Sequence, residues 1–155
     1  MKCEKSAKII SCLKTFCEKK TQFLQKYFSP ILLLTLRIMI ATVFLKSGLT
    51  KISNFDSTIF LFENEYAVPL LSPVIAAYLA TICELGCSSL LIAGLATRLA
   101  VLPLIGMTLV IQFTVVQNPE HFYWLAILST LFVYGAGLLS LDRLIKNFVD
   151  KCQKN

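Results

Sequence analysis

Four long apolar runs dominate the chain, and the few polar positions inside them recur at helical spacing. The runs cover about residues 30–52, 73–96, 99–116 and 122–141. A bilayer core of ~30 Å needs about 20 helical residues, and each run comes close to that length. Strands at such depth would need a closed barrel of short alternating segments, and the chain has none of these. The pattern predicts an all-α fold: a four-transmembrane-helix bundle spanning residues 30–141. Residues 1–29 place Ile9, Cys12, Leu13, Phe16, Phe23, Leu24 and Tyr27 on one helical face, with lysines over much of the rest and Lys20 intruding. Two readings of this segment stand: a basic amphipathic helix on an anionic membrane surface, and a loosely ordered tail. It lacks the short apolar core and small-x-small site of a secretory signal. Residues 142–155 read as a basic tail.

Charge orients this bundle. Lys2, Lys5, Lys8, Lys14, Lys19, Lys20 and Lys26 crowd the start, and Arg143, Lys146, Lys151 and Lys154 close the chain. Positive residues favour the cytoplasmic side, so both termini are expected there. The link carrying Arg98 falls on the same side. The loop with Asp56, Glu63 and Glu65, and the link "VQNPEHFYW", fall outside. Within the first of these, "DSTIFLFENEYAVP" has the pattern of a short amphipathic helix ending before Pro69. Pro103 removes a backbone hydrogen bond from the third helix. Gly135 and Gly137 offer the fourth a close packing surface.

Composition agrees. Of the 155 residues 56% are hydrophobic and 15% charged, with mean hydropathy +0.71; a soluble domain has about 25% charged residues. The net charge of +6 is confined mostly to the ends, so it reads as topology and contact with membrane lipids, with no nucleic-acid partner.

Inside the runs, spacing gathers the polar residues into stripes. Arg37, Ala41, Phe44, Gly48 and Lys51 share one face of the first helix. Ala77, Ala80, Thr81, Glu84, Cys87 and Ser88 share one face of the second. Small faces are where helices approach closely, so Glu84 is expected to point into the bundle. Counted from the run ends at 1.5 Å per residue, Arg37 lies at a depth near that of Glu84, and Lys51 lies near the outer boundary. Arg37 is therefore the expected partner, with Lys51 second. Two roles remain open for the pair: a structural ion pair, or a polar site handling protons or a ligand head group.

Thr108 and Gln112 share a face of the third helix and suit hydrogen bonds between helices. His121, the one histidine, is expected on the surface. Six cysteines show neither CxxC nor zinc spacing and read as free thiols. No metal site, nucleotide loop or catalytic triad is visible.

"LRIMIATVFLKSGLTKI", "CELGCSSLLIAGLATRLA" and "YGAGLLSLDRLI" together resemble the DoxX family of small four-helix membrane proteins. The matching positions are Arg37, Gly48 and Lys51, then Pro69, Glu84, Gly94, Thr97 and Arg98, then Gly137 and Asp142, over roughly Leu33 to Ile145. The family takes its name from a subunit of a thiosulfate:quinone oxidoreductase. The resemblance implies a multi-pass protein of a bacterial inner membrane that associates with quinone and with other redox-complex subunits. In that setting Arg37, Gly48, Lys51 and Arg98 would bind the cofactor, and Glu84 would be the catalytic proton carrier. No metal or nucleotide is expected. A non-enzymatic scaffold or assembly factor, with a structural ion pair, is the alternative. A small-solute or proton transporter is a third reading; it would require a homo-oligomer, and the chain has no inverted repeat to support it.

Overall fold

A computed structural model describes residues 2–66, 71–114 and 118–153, with side chains for 27–66, 71–113 and 118–153. The described residues are all-α. Helix α1 spans Lys2–Ser53, α2 Phe55–Leu61, and a π-helical turn Phe62–Tyr66 follows. Then come α3 (Pro73–Ala93), α4 (Thr97–Thr114), α5 (Pro119–Tyr134) and α6 (Leu141–Cys152).

Local chemistry sets these boundaries. The Asn54 side chain accepts the Ser57 N–H at 3.2 Å and caps α2. Pro73 and Pro119 occupy the first turns of α3 and α5, where a missing N–H costs nothing. Gly94 ends α3 at φ +70°, and the Leu95 N–H reaches back to the Leu90 carbonyl at 3.0 Å, the Schellman arrangement that favours glycine. Ser140 caps α6 through the Arg143 N–H.

Three boundaries differ from the sequence pattern. Helix α1 runs unbroken through Pro30: one lost backbone bond does not stop a helix held on both sides. Helix α5 stops at Tyr134, because Gly135 and Gly137 adopt φ +74° and +76°. They build a turn and do not extend a helix, although Gly137 also lies close against Leu33. The expected basic tail is α6. The short helix expected after Asn54 is present as α2 and the π turn; its end near Pro69 lies outside the described residues. So do the side chains of residues 2–26, including Cys3, Cys12 and Cys17.

Helices α1, α3, α4 and α5 pack in a closed ring of neighbours. Ile40, Ala41, Phe44, Leu91, Val101, Leu104, Leu128 and Leu131 form the core, and Trp124 sets its ring edge against Phe44 at 5.9 Å. Outward-facing positions are oily as well: Leu32, Met39, Ile82, Leu102, Phe113 and Val133 are all exposed. Meanwhile Arg37, Thr81, Glu84, Ser88, Thr97, Thr108, Gln112 and His121 are buried. A polar interior within an apolar exterior suits lipid as the surrounding solvent. Tyr27–Ser53 and Pro73–Ala93 are long and apolar enough to cross a membrane, and Thr97–Phe113 is a shorter apolar helix.

Candidate functional site

The stripe on α1 faces the stripe on α3, as the spacing predicts, but the register differs. A Cβ on Gly48 would lie 2.9 Å from the Leu85 side chain and 3.2 Å from Glu84 Cβ, so Gly48 is level with Glu84. A Cβ on Gly94 would lie 2.5 Å from Arg37 Nη1, so Arg37 is level with the far end of α3. Arg37 therefore cannot meet Glu84, and the expected Arg37–Glu84 pair is not formed.

Lys51 is the partner. Helical side chains lean toward the N-terminus, which carries the Lys51 ammonium back to the level of Glu84. Its Nζ lies 2.7 and 2.8 Å from the two carboxylate oxygens. It also donates to Ser47 Oγ at 2.7 Å, and the Ser47 hydroxyl donates to Glu84 Oε1 at 3.3 Å. The triangle is closed, with Glu84 3% and Lys51 16% exposed at the side chain. Among the described residues it is the only ion pair.

A cleft of about 260 Å³ opens beside this triangle. Leu79, Ala80 and Cys83 of α3 form one wall and Pro103, Gly106, Met107 and Val110 of α4 the other. Phe62 and Tyr66 from the π turn cover it, and Lys51 and Glu84 form its polar end. The α4 residues recur at i, i+3, i+4 and i+7, one helical face. A Cβ on Gly106 would touch nothing within 4 Å, so the small residue leaves part of the volume open. The Tyr66 hydroxyl makes no hydrogen bond among the described residues. Burial, and then the Glu65 and Glu84 carboxylates, hold its pKa above the ordinary range, so the phenol stays a proton donor. On the other side of Lys51 lies a hollow of about 390 Å³. Ser47, Thr50, Ser53, Asn54, Ser57 and Thr58 line it, and Lys51, Phe62 and Tyr66 border both spaces.

Arg37 forms a separate centre. Its guanidinium donates to the Ala136 carbonyl at 2.8 Å and the Leu139 carbonyl at 2.9 Å, tying α1 to the α5–α6 link. Asp142 ties the start of α6 to the α3–α4 turn. Its N–H donates to the Gly94 carbonyl at 3.2 Å, and its carboxylate accepts the Ala96 N–H at 2.9 Å. That bond holds Ala96 at φ +47°, a left-handed conformation costly for alanine.

The sequence model of the DoxX family matches residues 32–117. The chain belongs to the DoxX family. No curated protein and no solved structure matches it. The DoxX match and the apolar exterior together mark a membrane protein. Within the matched DoxX segment, the structure brings Lys51, Glu84 and Gly48 together at one end of the bundle. It places Arg37 at the other end, with Arg98, whose guanidinium donates to the Val133 carbonyl at 3.0 Å.

Tyr66, Phe62 and Gly106 were not among the sequence candidates. The segment holding Phe62 and Tyr66 read as a short amphipathic helix, and nothing local showed that it covers a cleft. His121 is buried, contrary to expectation; its Nδ1 lies 2.7 Å from Gln112 Oε1 and its ring lies tilted against Trp124, with centroids 5.0 Å apart. Gln112 thus bonds between helices as expected, while the Thr108 hydroxyl donates within its own helix, to Leu104.

Proposed function

We propose that the chain is a four-span inner-membrane protein, both termini cytoplasmic, that serves as the quinone-associated subunit of a redox complex. The observation that supports this reading is the apolar cleft ending on Lys51, Glu84 and Tyr66. Ligand sites of this kind combine mostly apolar walls with a few placed polar groups. A quinone is such a ligand: a flat apolar ring bearing two carbonyl acceptors. When bound, it takes up two electrons, here from a partner redox subunit, and two protons. The Tyr66 hydroxyl is free to donate to a carbonyl, and the Lys51 ammonium can do so by releasing Ser47. Glu84, held between Lys51 and Ser47, carries the proton. The hydroxyl-lined hollow shares Lys51, Phe62 and Tyr66 with the cleft and offers a path for it.

In this assignment Arg37 and Arg98 are not cofactor ligands, because they lie at the opposite end of the bundle. Gly48 contributes by letting α1 approach Glu84. A non-enzymatic scaffold is the second reading, and the internal satisfaction of the Lys51–Glu84–Ser47 triangle favours it. Quinone analysis by mass spectrometry after purification in mild detergent separates the two. We expect quinone stoichiometric with the chain, lost in Gly106→Leu, which fills the cleft without touching the triangle. Glu84→Gln should insert normally and lose quinone-linked activity. Absence of quinone from the wild type, or equal quinone in Gly106→Leu, leaves the scaffold reading.

A further inference from the structure

At the end of the bundle away from the cleft lies a hollow of about 550 Å³. Arg98, Arg143 and Lys146 line it, with Asp142 the carboxylate among them. Three cations against one carboxylate leave the balance facing a ligand cationic, and Asp142 is held by the Ala96 N–H. The first turn of α4 borders the same space through Thr97 and Arg98. Leading N–H groups of a helix lack intrahelical acceptors and favour anions. A second observation points to an absent acceptor. Thr97 borders the hollow and is only 1% exposed, and its buried hydroxyl has no hydrogen-bond partner among the described residues.

Helix α6 supplies the rest. None of its residues is buried. Leu141, Leu144, Ile145, Phe148 and Val149 lie at i, i+3, i+4, i+7 and i+8, one continuous stripe, and all five are exposed. Asp142, Arg143 and Lys146, on its other face, border the hollow. Leu138 and Leu139 of the preceding link and Val133 of α5 are exposed apolar positions as well. An amphipathic helix tethered to a membrane bundle, apolar on one face and basic on the other, has the composition of an interfacial helix.

We propose that this hollow binds the phosphate headgroup of an anionic phospholipid, with α6 lying in the membrane interface beside it. The phosphodiester accepts hydrogen bonds from Arg98, Arg143, Lys146 and the Thr97 hydroxyl, and the acyl chains run along the apolar exterior. The site is independent of the cleft, and its occupancy does not depend on quinone.

The test uses the full chain in mild detergent and native mass spectrometry, with phosphatidylglycerol, phosphatidylcholine and inorganic phosphate as separate probes. Arg143 and Lys146 are exposed, so Arg143→Gln/Lys146→Gln should fold. Each cation near a headgroup contributes roughly fivefold in affinity, so the double variant should bind phosphatidylglycerol roughly 25-fold more weakly. Wild type should prefer phosphatidylglycerol over phosphatidylcholine. Leu144→Ser/Phe148→Ser should weaken the lipid and leave phosphate unchanged. Equal retention of phosphatidylglycerol by Arg143→Gln/Lys146→Gln, or equal binding of the two lipids, overturns the proposal. Inorganic phosphate binding as tightly as the lipid also overturns it, in favour of a soluble-anion site.

Discussion

Helix α1 carries two cations toward the bundle interior, and the two ends of the bundle neutralise them in different ways. Lys51 meets a side-chain carboxylate and a hydroxyl. Arg37 meets two main-chain carbonyls. The first arrangement is a charge pair, and both members can be exchanged together. The second is a charge held by backbone dipoles, and mutation cannot remove its partners. The chemistry of each side chain fits its setting. A guanidinium presents a planar fork that reaches two fixed acceptors, whereas an ammonium is a compact point charge that sits between two carboxylate oxygens.

The sharpest way to break this contrast is to strip each cation of its compensation. Glu84→Leu leaves Lys51 charged and nearly buried and should cost about 3–5 kcal/mol in unfolding experiments in detergent. Adding Lys51→Met should restore stability to within about 1 kcal/mol of wild type, since replacing both members of a buried pair is often neutral. At the other centre, Arg37→Lys keeps the charge but reaches one carbonyl, and should cost about 1.5–3 kcal/mol. No second substitution should rescue it; a side-chain rescue would show that the two centres are alike. Gly48→Ala drives a methyl against Leu85 and the Glu84 stem and should cost about 1–3 kcal/mol, with the same measurement. The smallest effect belongs to Gly106→Ala, beside open space, which should stabilise α4 by about 0.5–1 kcal/mol.

The helical stripes were legible because period 3.6 shows directly which residues share a face. Arg37, Ala41, Phe44 and Gly48 do turn inward, and so does Glu84. The pairing between stripes was not legible. Depth was counted from Pro30 and from Ala96, yet α1 passes through Pro30 and α3 ends at Ala93. Neither end shows the stagger between the helices: Arg37 is level with Gly94, just past the end of α3, and Gly48 is level with Glu84, which leaves Lys51 and not Arg37 within reach of the carboxylate. The carbonyls that hold Arg37 were invisible for another reason: a backbone acceptor in a glycine turn has no side-chain signature. Helix α6 could have been read from Leu141, Leu144, Ile145, Phe148 and Val149, whose period is regular; the basic residues between them drew the eye to charge alone. His121 was misplaced because its partner Gln112 stands on the neighbouring helix and no local pattern joins them.

The Arg37 clasp also has a history within each molecule's synthesis. Its bonds join residues 99 and 102 positions apart, whereas the Lys51–Glu84 bonds join residues 33 apart. At translation speeds of about 5–20 residues per second, Arg37 waits roughly 5–20 s for its acceptors to be made. During that interval the nascent chain holds a guanidinium without its final partners, so the first helix cannot settle until the last link has emerged.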